Sequence, residues 1–279
     1  MNSAPSDELF ATDAYVHTFE ATVDTVDADQ RLVALDRTAF YPGGGGQPYD
    51  IGTLRWHDGD ADVTRTRRVA ERVWHAVAAD QPLPDPGATV EGRIDWERRH
   101  LLMRTHTALH ILCGVIWQDF AVAVTGGNMT AGTGRLDFEL PEMSAELGRR
   151  LEQRINQEIA RARAIAVEFV DRADADNDPA LIRTRANLIP ADIDPLRVID
   201  IVGLDRQADG GTHVATTAEV GVVEVTGTQS KGRANKRVRI AVRDQGLPED
   251  PSRTWPSDAW SAAGPPSEES VEDPSSWSE

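Results

Sequence analysis

Apolar and polar residues alternate with a period of two in six short stretches near the start of the chain: Tyr15–Val23, Arg31–Leu35, Thr53–Trp56, Ala61–Val69, Val73–Val77 and Thr89–Ile94. Asp, Gly and Pro clusters separate them, as at Asp58-Gly59-Asp60 and Pro82 to Gly87. Such spacing predicts half-buried strands closing into a small β-barrel over residues 13–93. At Asp95 the period changes to that of a helix. Asp95 suits the N-cap, Glu97 the first turn, and Leu101, Leu102, Leu109, Leu112, Val115 and Ile116 give a helix to about Gln118 that is meant for burial. Strands are then expected near Ala121–Thr130, Gly134–Leu140, Ala166–Val170 and Leu196–Leu204, helices over Pro141–Arg163 and Pro179–Arg185, and a closing hairpin from Ala218–Thr226 and Arg237–Val242. The fold class is therefore α+β, a barrel followed by a mixed domain at 94–244.

The ends of the chain lack such a pattern. Residues 1–12 read as a flexible leader, and 245–279 as a disordered tail with eight acidic residues against Arg253 alone. Trp255, Trp260 and Trp277 are unusual in that setting.

Composition narrows the class. No apolar run reaches membrane-spanning length, the first residues have no signal core, and Cys113 stands alone, so the expectation is a soluble cytoplasmic protein without a disulfide framework. The net charge is −17, and only Lys231 and Lys236 among the 29 cations are lysine. That balance suggests a halophilic setting in which salt screens the repulsion, and at ordinary salt it disfavours nucleic acid.

The candidate chemistry begins inside the long helix. His106 and His110 are four residues apart and so lie on one face. Either could be a core histidine with a hydrogen-bonded neighbour. Downstream, Asp209-Gly-Gly-Thr-His213 follows a strand, and its glycine pair lets Asp209 and His213 point at one place. Three imidazoles with one open position match a catalytic zinc site, one ion per chain, with Asp209 either as fourth ligand or as a group orienting a histidine. Cys113, on roughly the face of His106, is an alternative donor.

The loop Gly43-Gly-Gly-Gly-Gln47-Pro48 is the second unusual feature. Its glycines let backbone amides approach a phosphate, and Gln47 offers an amide to position water. Gly45-Gly46-Gln47 is also the tripeptide that release factors use on a tRNA ester. Lys231, Arg233, Lys236 and Arg237 form a run free of acids and are candidates for phosphate contact.

His106-x-x-x-His110 with Gly-Gly-Thr-His213, the glycine-rich stretch Thr38–Gly52 and the basic strand Lys231–Arg239 resemble the free-standing alanyl-tRNA editing proteins and the editing domain of alanyl-tRNA synthetase. Their pattern reads Cys-Gly-Gly-Thr-His, and Asp209 replaces that cysteine. The resemblance implies a zinc-dependent deacylase, independent of ATP, that removes serine or glycine wrongly attached to alanine tRNA. It places His106, His110, His213 and Gln47 in catalysis, Asn128, Thr130, Gly45 and Gly46 against the substrate, and implies a monomer or homodimer. No class II aminoacylation motif accompanies it. Because a carboxylate is a harder ligand than a thiolate, a non-catalytic tRNA-binding module is the alternative reading, and a metallohydrolase of small esters a third.

Overall fold

A computed structural model describes residues 6–142, 144–178, 181–183, 193–230 and 235–244. In chain order these give β1 (Asp7–Glu8), α1 (Leu9–Thr12), β2 (Thr18–Asp27), β3 (Leu32–Leu35), β4 (Arg37–Thr38), β5 (Gly52–Trp56), β6 (Gly59–Val69), β7 (Arg72–Val77) and β8 (Thr89–Ile94). There follow α2 (Trp96–Phe120), β9 (Val124–Thr130), β10 (Thr133–Phe138), α3 (Ala145–Ala160), β11 (Ile165–Val170), α4 (Arg172–Ala175), β12 (Leu196–Ile201), β13 (Asp205–Ala208), β14 (Val222–Ser230) and β15 (Lys236–Arg243).

All six alternating stretches are strands, and they close a barrel in the order β2-β3-β7-β6-β5-β8. Val33, Leu35, Phe40, Leu54, Val63 and Val90 fill it; buried and exposed residues alternate along β8 as the pleat requires, whereas β3 is buried throughout. His75 is a polar residue in this core. It is fully buried, with Nδ1 3.0 Å from Val33 O and Nε2 2.9 Å from Thr38 Oγ1. Burial holds its pKa down to about 4, against 6.5 for a free imidazole. The unfolded chain therefore binds the extra proton first. Stability from this residue is intact above about pH 6.5 and falls as pH drops towards 4, by up to roughly 3 kcal/mol. Urea midpoints measured from pH 7 to pH 4.5 should fall less steeply in His75→Gln than in the wild type. Equal slopes would remove His75 from the acid sensitivity.

α2 starts where the sequence predicts, with Asp95 accepting a hydrogen bond from Arg98 N at 3.1 Å, and ends where Ala121 turns left-handed at φ 54°. It is the axis of the second core, against which α3 and the sheet β14-β15-β10-β9 pack through Leu112, Ile116, Leu151, Ile155, Val238 and Ile240. A smaller sheet, β11-β12-β13, runs past the middle of the helix. Gly114 permits this, because a Cβ there would lie 2.9 Å from Leu204 Cγ and 3.0 Å from Leu204 O. Among the described residues no helix is long and apolar enough to cross a membrane.

Barrel and helix are joined by a buried ion pair. Arg99, with no exposed surface, donates to Asp50 through Nε at 2.9 Å and also through Nη2, and to the carbonyls of Ala39 at 2.6 Å and Ala14 at 3.0 Å. Asp50 in turn accepts from Tyr41 N at 2.7 Å. These bonds pin both ends of the glycine-rich loop to the helix that carries His106 and His110. Two buried charges survive here because each is met by several partners.

Residues 7–12 depart from the expected flexible leader. β1 pairs with β4 in parallel, and Phe10 is buried edge-on against Tyr41 at 5.3 Å between ring centroids. One aromatic ring and a two-residue strand suffice to order a segment whose composition looks unstructured. β13 was also not expected as a separate strand; Gly203, at φ 75°, turns the chain back so that β13 pairs antiparallel with β12. Most of the helix expected over Pro179–Arg185, the tail with its tryptophans, Lys231 and Arg233 lie outside the described residues.

Candidate metal centre

α2 sets His106 and His110 one turn apart with ring centroids 5.0 Å from each other. The turn after β13 delivers His213, whose ring centroid is 4.4 Å from that of His106 and 4.7 Å from that of His110. Asp209 arrives on the same turn. One ligand atom from each of His106, His110, Asp209 and His213 falls within 4.8 Å of the others. All four are largely or wholly shielded from solvent. Cys113 is outside the group; it is buried, burial pushes its thiol pKa up, and its sulfur faces Gln207 Nε2 at 3.7 Å.

Each imidazole has its Nδ1 engaged by a residue outside the four. His106 Nδ1 is 3.0 Å from Gln47 Oε1, His110 Nδ1 is 3.0 Å from Asp205 Oδ2, and His213 Nδ1 is 3.1 Å from Thr107 Oγ1. The Gln47 orientation follows from its surroundings: its Oε1 accepts from the Thr212 backbone N–H at 2.9 Å, and its Nε2 donates to Thr212 Oγ1 at 2.8 Å. His106 Nδ1 must then be the donor, since an amide oxygen only accepts. The same logic applies to His110 against the Asp205 carboxylate. His106, whose pKa is lowered, is left with an unprotonated Nε2, 3.7 Å from Asp209 Oδ1; His213 Nε2 lies 3.1 Å from Asp209 Oδ2.

Electrostatics favour neutral His106 and His213 and an ionised Asp209. Burial pushes His106 down to about 4 and His213 well below its ordinary value. His110 goes the other way: burial works against its charge, but the hydrogen bond and charge of Asp205 outweigh it. Burial would raise Asp209, yet the attraction of His106 and the hydrogen bond to His213 hold its carboxyl well below the usual carboxylate range. Nitrogen lone pairs and an ionised carboxylate converging in a water-poor pocket are the chemistry that a divalent cation satisfies. With metal–ligand distances of about 2.0–2.2 Å, tetrahedral donors sit about 3.4 Å apart, so a contraction of up to about 1.4 Å would seat the ion. Three imidazoles and one carboxylate fit zinc or another first-row metal.

The surroundings are held in their turn. Asp205 accepts from Gln207 Nε2 at 2.6 Å and from Arg183 Nη1 at 2.5 Å, and Arg183 lies over Trp117 at 5.1 Å. Arg197 donates to the carbonyls of Asp209 at 2.9 Å and Gly211 at 2.8 Å, and through Nε to Ala11 O at 2.8 Å, so the N-terminal segment braces the turn. Tyr15 OH accepts from Ala215 N at 2.8 Å and donates to Glu219 at 2.6 Å, a second brace beyond His213.

Of the other residues singled out in the sequence, Gln47 and Gly45 reach this centre; a Cβ on Gly45 would sit 3.4 Å from Asp209 Oδ1. Gly46 is exposed at the loop tip. Asn128 and Thr130 are exposed on β9, where the Asn128 side chain accepts from Met129 N and the Thr130 hydroxyl meets that of Thr133, and neither contact joins the histidines. Lys236 is buried with Nζ 2.8 Å from Ser230 Oγ, and Arg237 makes two 2.7 Å bonds to Asp137. Asp205, Thr107, Thr212 and Arg197 were not singled out. Thr107, next to His106 on a buried helix, is the one that a search for polar neighbours of the pair could have found.

The family model for class II (A) tRNA synthetases matches residues 9–98, and that for the second additional domain of threonyl and alanyl tRNA synthetases matches residues 196–239. The alanyl-tRNA editing protein AlaX-M of Methanosarcina barkeri is 33% identical over 86% of this chain and 100% of its own length. AlaX-M of Saccharolobus solfataricus is 33% identical over 85% of this chain and 99% of its own. The alanine–tRNA ligase of Pyrobaculum neutrophilum is 36% identical over 78% of this chain but only 25% of the ligase. The shared stretch includes both the barrel and the turn bearing His213, and the chain therefore belongs to the AlaX-M family of alanyl-tRNA editing proteins.

Proposed function

We propose that this chain is a trans-editing hydrolase that deacylates alanine tRNA carrying serine, and also glycine, at a zinc site formed by His106, His110, His213 and Asp209, with one ion per chain. The observation that supports it most is the convergence of those four side chains under the glycine-rich loop in a member of this family. Zinc held there would polarise the ester carbonyl and lower the pKa of an attacking water. The remaining work belongs to the chain. Gln47, Asp205 and Thr107 keep the imidazoles turned inward, so the donor set needs little reorganisation. Exposed Gly44–Gly46 leave room beside Asp209 for a terminal ribose, and Gln47 fixes the loop above it. The ester is already activated, so no nucleotide is consumed.

Selectivity has a physical motive. A synthetic site shaped for alanine cannot strongly reject the smaller glycine or the near-isosteric serine, which makes a separate hydrolytic site necessary. Asn128 and Thr130 are proposed to read the serine hydroxyl, and Lys231, Arg233, Lys236 and Arg237 to meet RNA phosphates. Arg237 would have to exchange Asp137 for that role. The reading places the protein in a cytoplasm of high salt.

Purified protein should release serine from mischarged alanine tRNA while sparing correctly charged alanine, lose that activity on chelation and regain it with zinc. Tight tRNA binding without deacylation would instead favour the non-catalytic module. Asp209→Cys supplies a softer donor and should tighten zinc binding in a chelator competition. An unchanged affinity would put Asp209 outside the coordination sphere.

A further inference from the structure

Most arginines among the described residues are close to a carboxylate, as in Arg68–Glu8, Arg72–Asp24, Arg99–Asp50, Arg104–Asp244 and Arg206–Glu168. Arg65 and Arg98 are exceptions. No described carboxylate lies within 4.0 Å of either, and both are gathered on Tyr49: the Arg65 guanidinium carbon is 5.5 Å from the centre of the Tyr49 ring, and Arg98 Nη2 donates to Tyr49 O at 3.2 Å. Arg65 is exposed, and Arg98 Nε is shielded from solvent without an acceptor.

Tyr49 belongs to the loop at the metal centre. Its N is 3.3 Å from where a Cβ of Gly43 would stand, and only Pro48 separates it from Gln47, whose Oε1 touches His106. Two residues of extended chain span at most about 7 Å, so the two arginines lie near the exposed glycines that border the site. On a chain of net charge −17 a polyanion is repelled at long range, and any foothold must be local and unneutralised. An aromatic ring with an arginine on its face offers stacking to a base and a fork of donors to a phosphate.

We propose that Arg65, Tyr49 and Arg98 form a binding edge for the single-stranded 3′ end of an RNA whose terminal ester lies at the metal centre, the arginines taking the phosphates nearest that end. This rests on the editing reading above.

Arg65→Glu tests it, with Arg150→Glu as control, since Arg150 is exposed on α3 and carries the same change of charge. Two substrates are compared, serine-charged alanine tRNA and seryl-adenosine, which lacks phosphate. The ratio of kcat/KM for the tRNA to that for seryl-adenosine should fall about tenfold in Arg65→Glu relative to the control, through KM, and the salt slope of uncharged tRNA binding should become shallower by about 1. Ratios and affinities equal to those of the control would overturn the proposal. If the wild type hydrolyses neither substrate, the editing reading fails, and the affinity of uncharged tRNA still decides this edge: weaker binding by Arg65→Glu than by the control sustains it, equal binding refutes it.

Discussion

Replacing His213 by alanine is expected to abolish deacylation, lowering it at least a hundredfold, in a protein that remains folded. The ring is one of three that meet within 5 Å, and it supplies Nε2 to the centre while Thr107 holds Nδ1. Without it the donor set drops to two imidazoles and a carboxylate, so zinc affinity should fall by more than the 10–100-fold seen when an outer-shell partner is lost. A loss of several kcal/mol of electrophilic assistance corresponds to at least about two powers of ten in rate. The apo fold should pay little, because removing one of the converging imidazoles leaves Asp209 accepting from the Gly211 N–H at 2.7 Å. Circular dichroism and the urea midpoint report the fold, and equilibrium dialysis the metal. Full activity in His213→Ala would refute the assignment.

The second large effect is expected from a single methyl group. Gly211 lies against the rings: a Cβ there would collide with Cε1 and Nδ1 of His106 and sit 2.9 Å from Gln47 Oε1. Neither neighbour can yield freely. His106 is fixed by α2, and Gln47 is held by two bonds to Thr212 and by the loop that Asp50 and Arg99 pin down. Gly211→Ala must therefore push the turn outward, carrying Asp209 and His213 with it. Overpacking of this kind costs about 1–3 kcal/mol in stability. A displacement of about 1 Å can itself cost on the order of a hundredfold in rate. The expected result is weak zinc binding and a similar loss of deacylation, with a modest fall in the urea midpoint. Gly210→Ala is the matched control, since a Cβ at 210 meets nothing within 4 Å. Equal activity in the two variants would show that the turn has more room than its contacts indicate.

Both residues lie in a stretch that the sequence exposes. His213 could be picked out because Gly-Gly-Thr-His following a strand is a local pattern, and His106 and His110 because helical periodicity puts them on one face. The barrel was legible for a similar reason: alternation with a period of two is a property of neighbours in the chain. What lay hidden depends on residues distant in sequence. Gln47 reaches His106 across 59 positions, Asp205 reaches His110 across 95, and Thr107 reaches His213 across 106. No local period encodes those pairings. They are set by the register of β13 on β12 and by the Arg99–Asp50 pair that docks the barrel loop.

Charge along the chain does not show which partner a strand neighbour will bring in. The run from Lys231 to Arg239 has no acidic residue, yet β15 pairs with β10 so that Arg237 stands directly opposite Asp137, and the two bond. Conversely Arg65, unremarked among many arginines, ends up over Tyr49 without a carboxylate. The leader and the residues just after it follow the same rule. Phe10, Ala11, Ala14 and Tyr15 become useful only once Tyr41, Arg197, Arg99 and Ala215 are beside them.

Anomalous diffraction at the zinc absorption edge, on crystals of protein purified with zinc, tests the central claim most directly. The account predicts one strong peak per chain, about 2.0–2.2 Å from Nε2 of His106, His110 and His213, with an Asp209 oxygen completing the set. A zinc-loaded crystal with no peak there, or with the three rings turned away from one another, would contradict it.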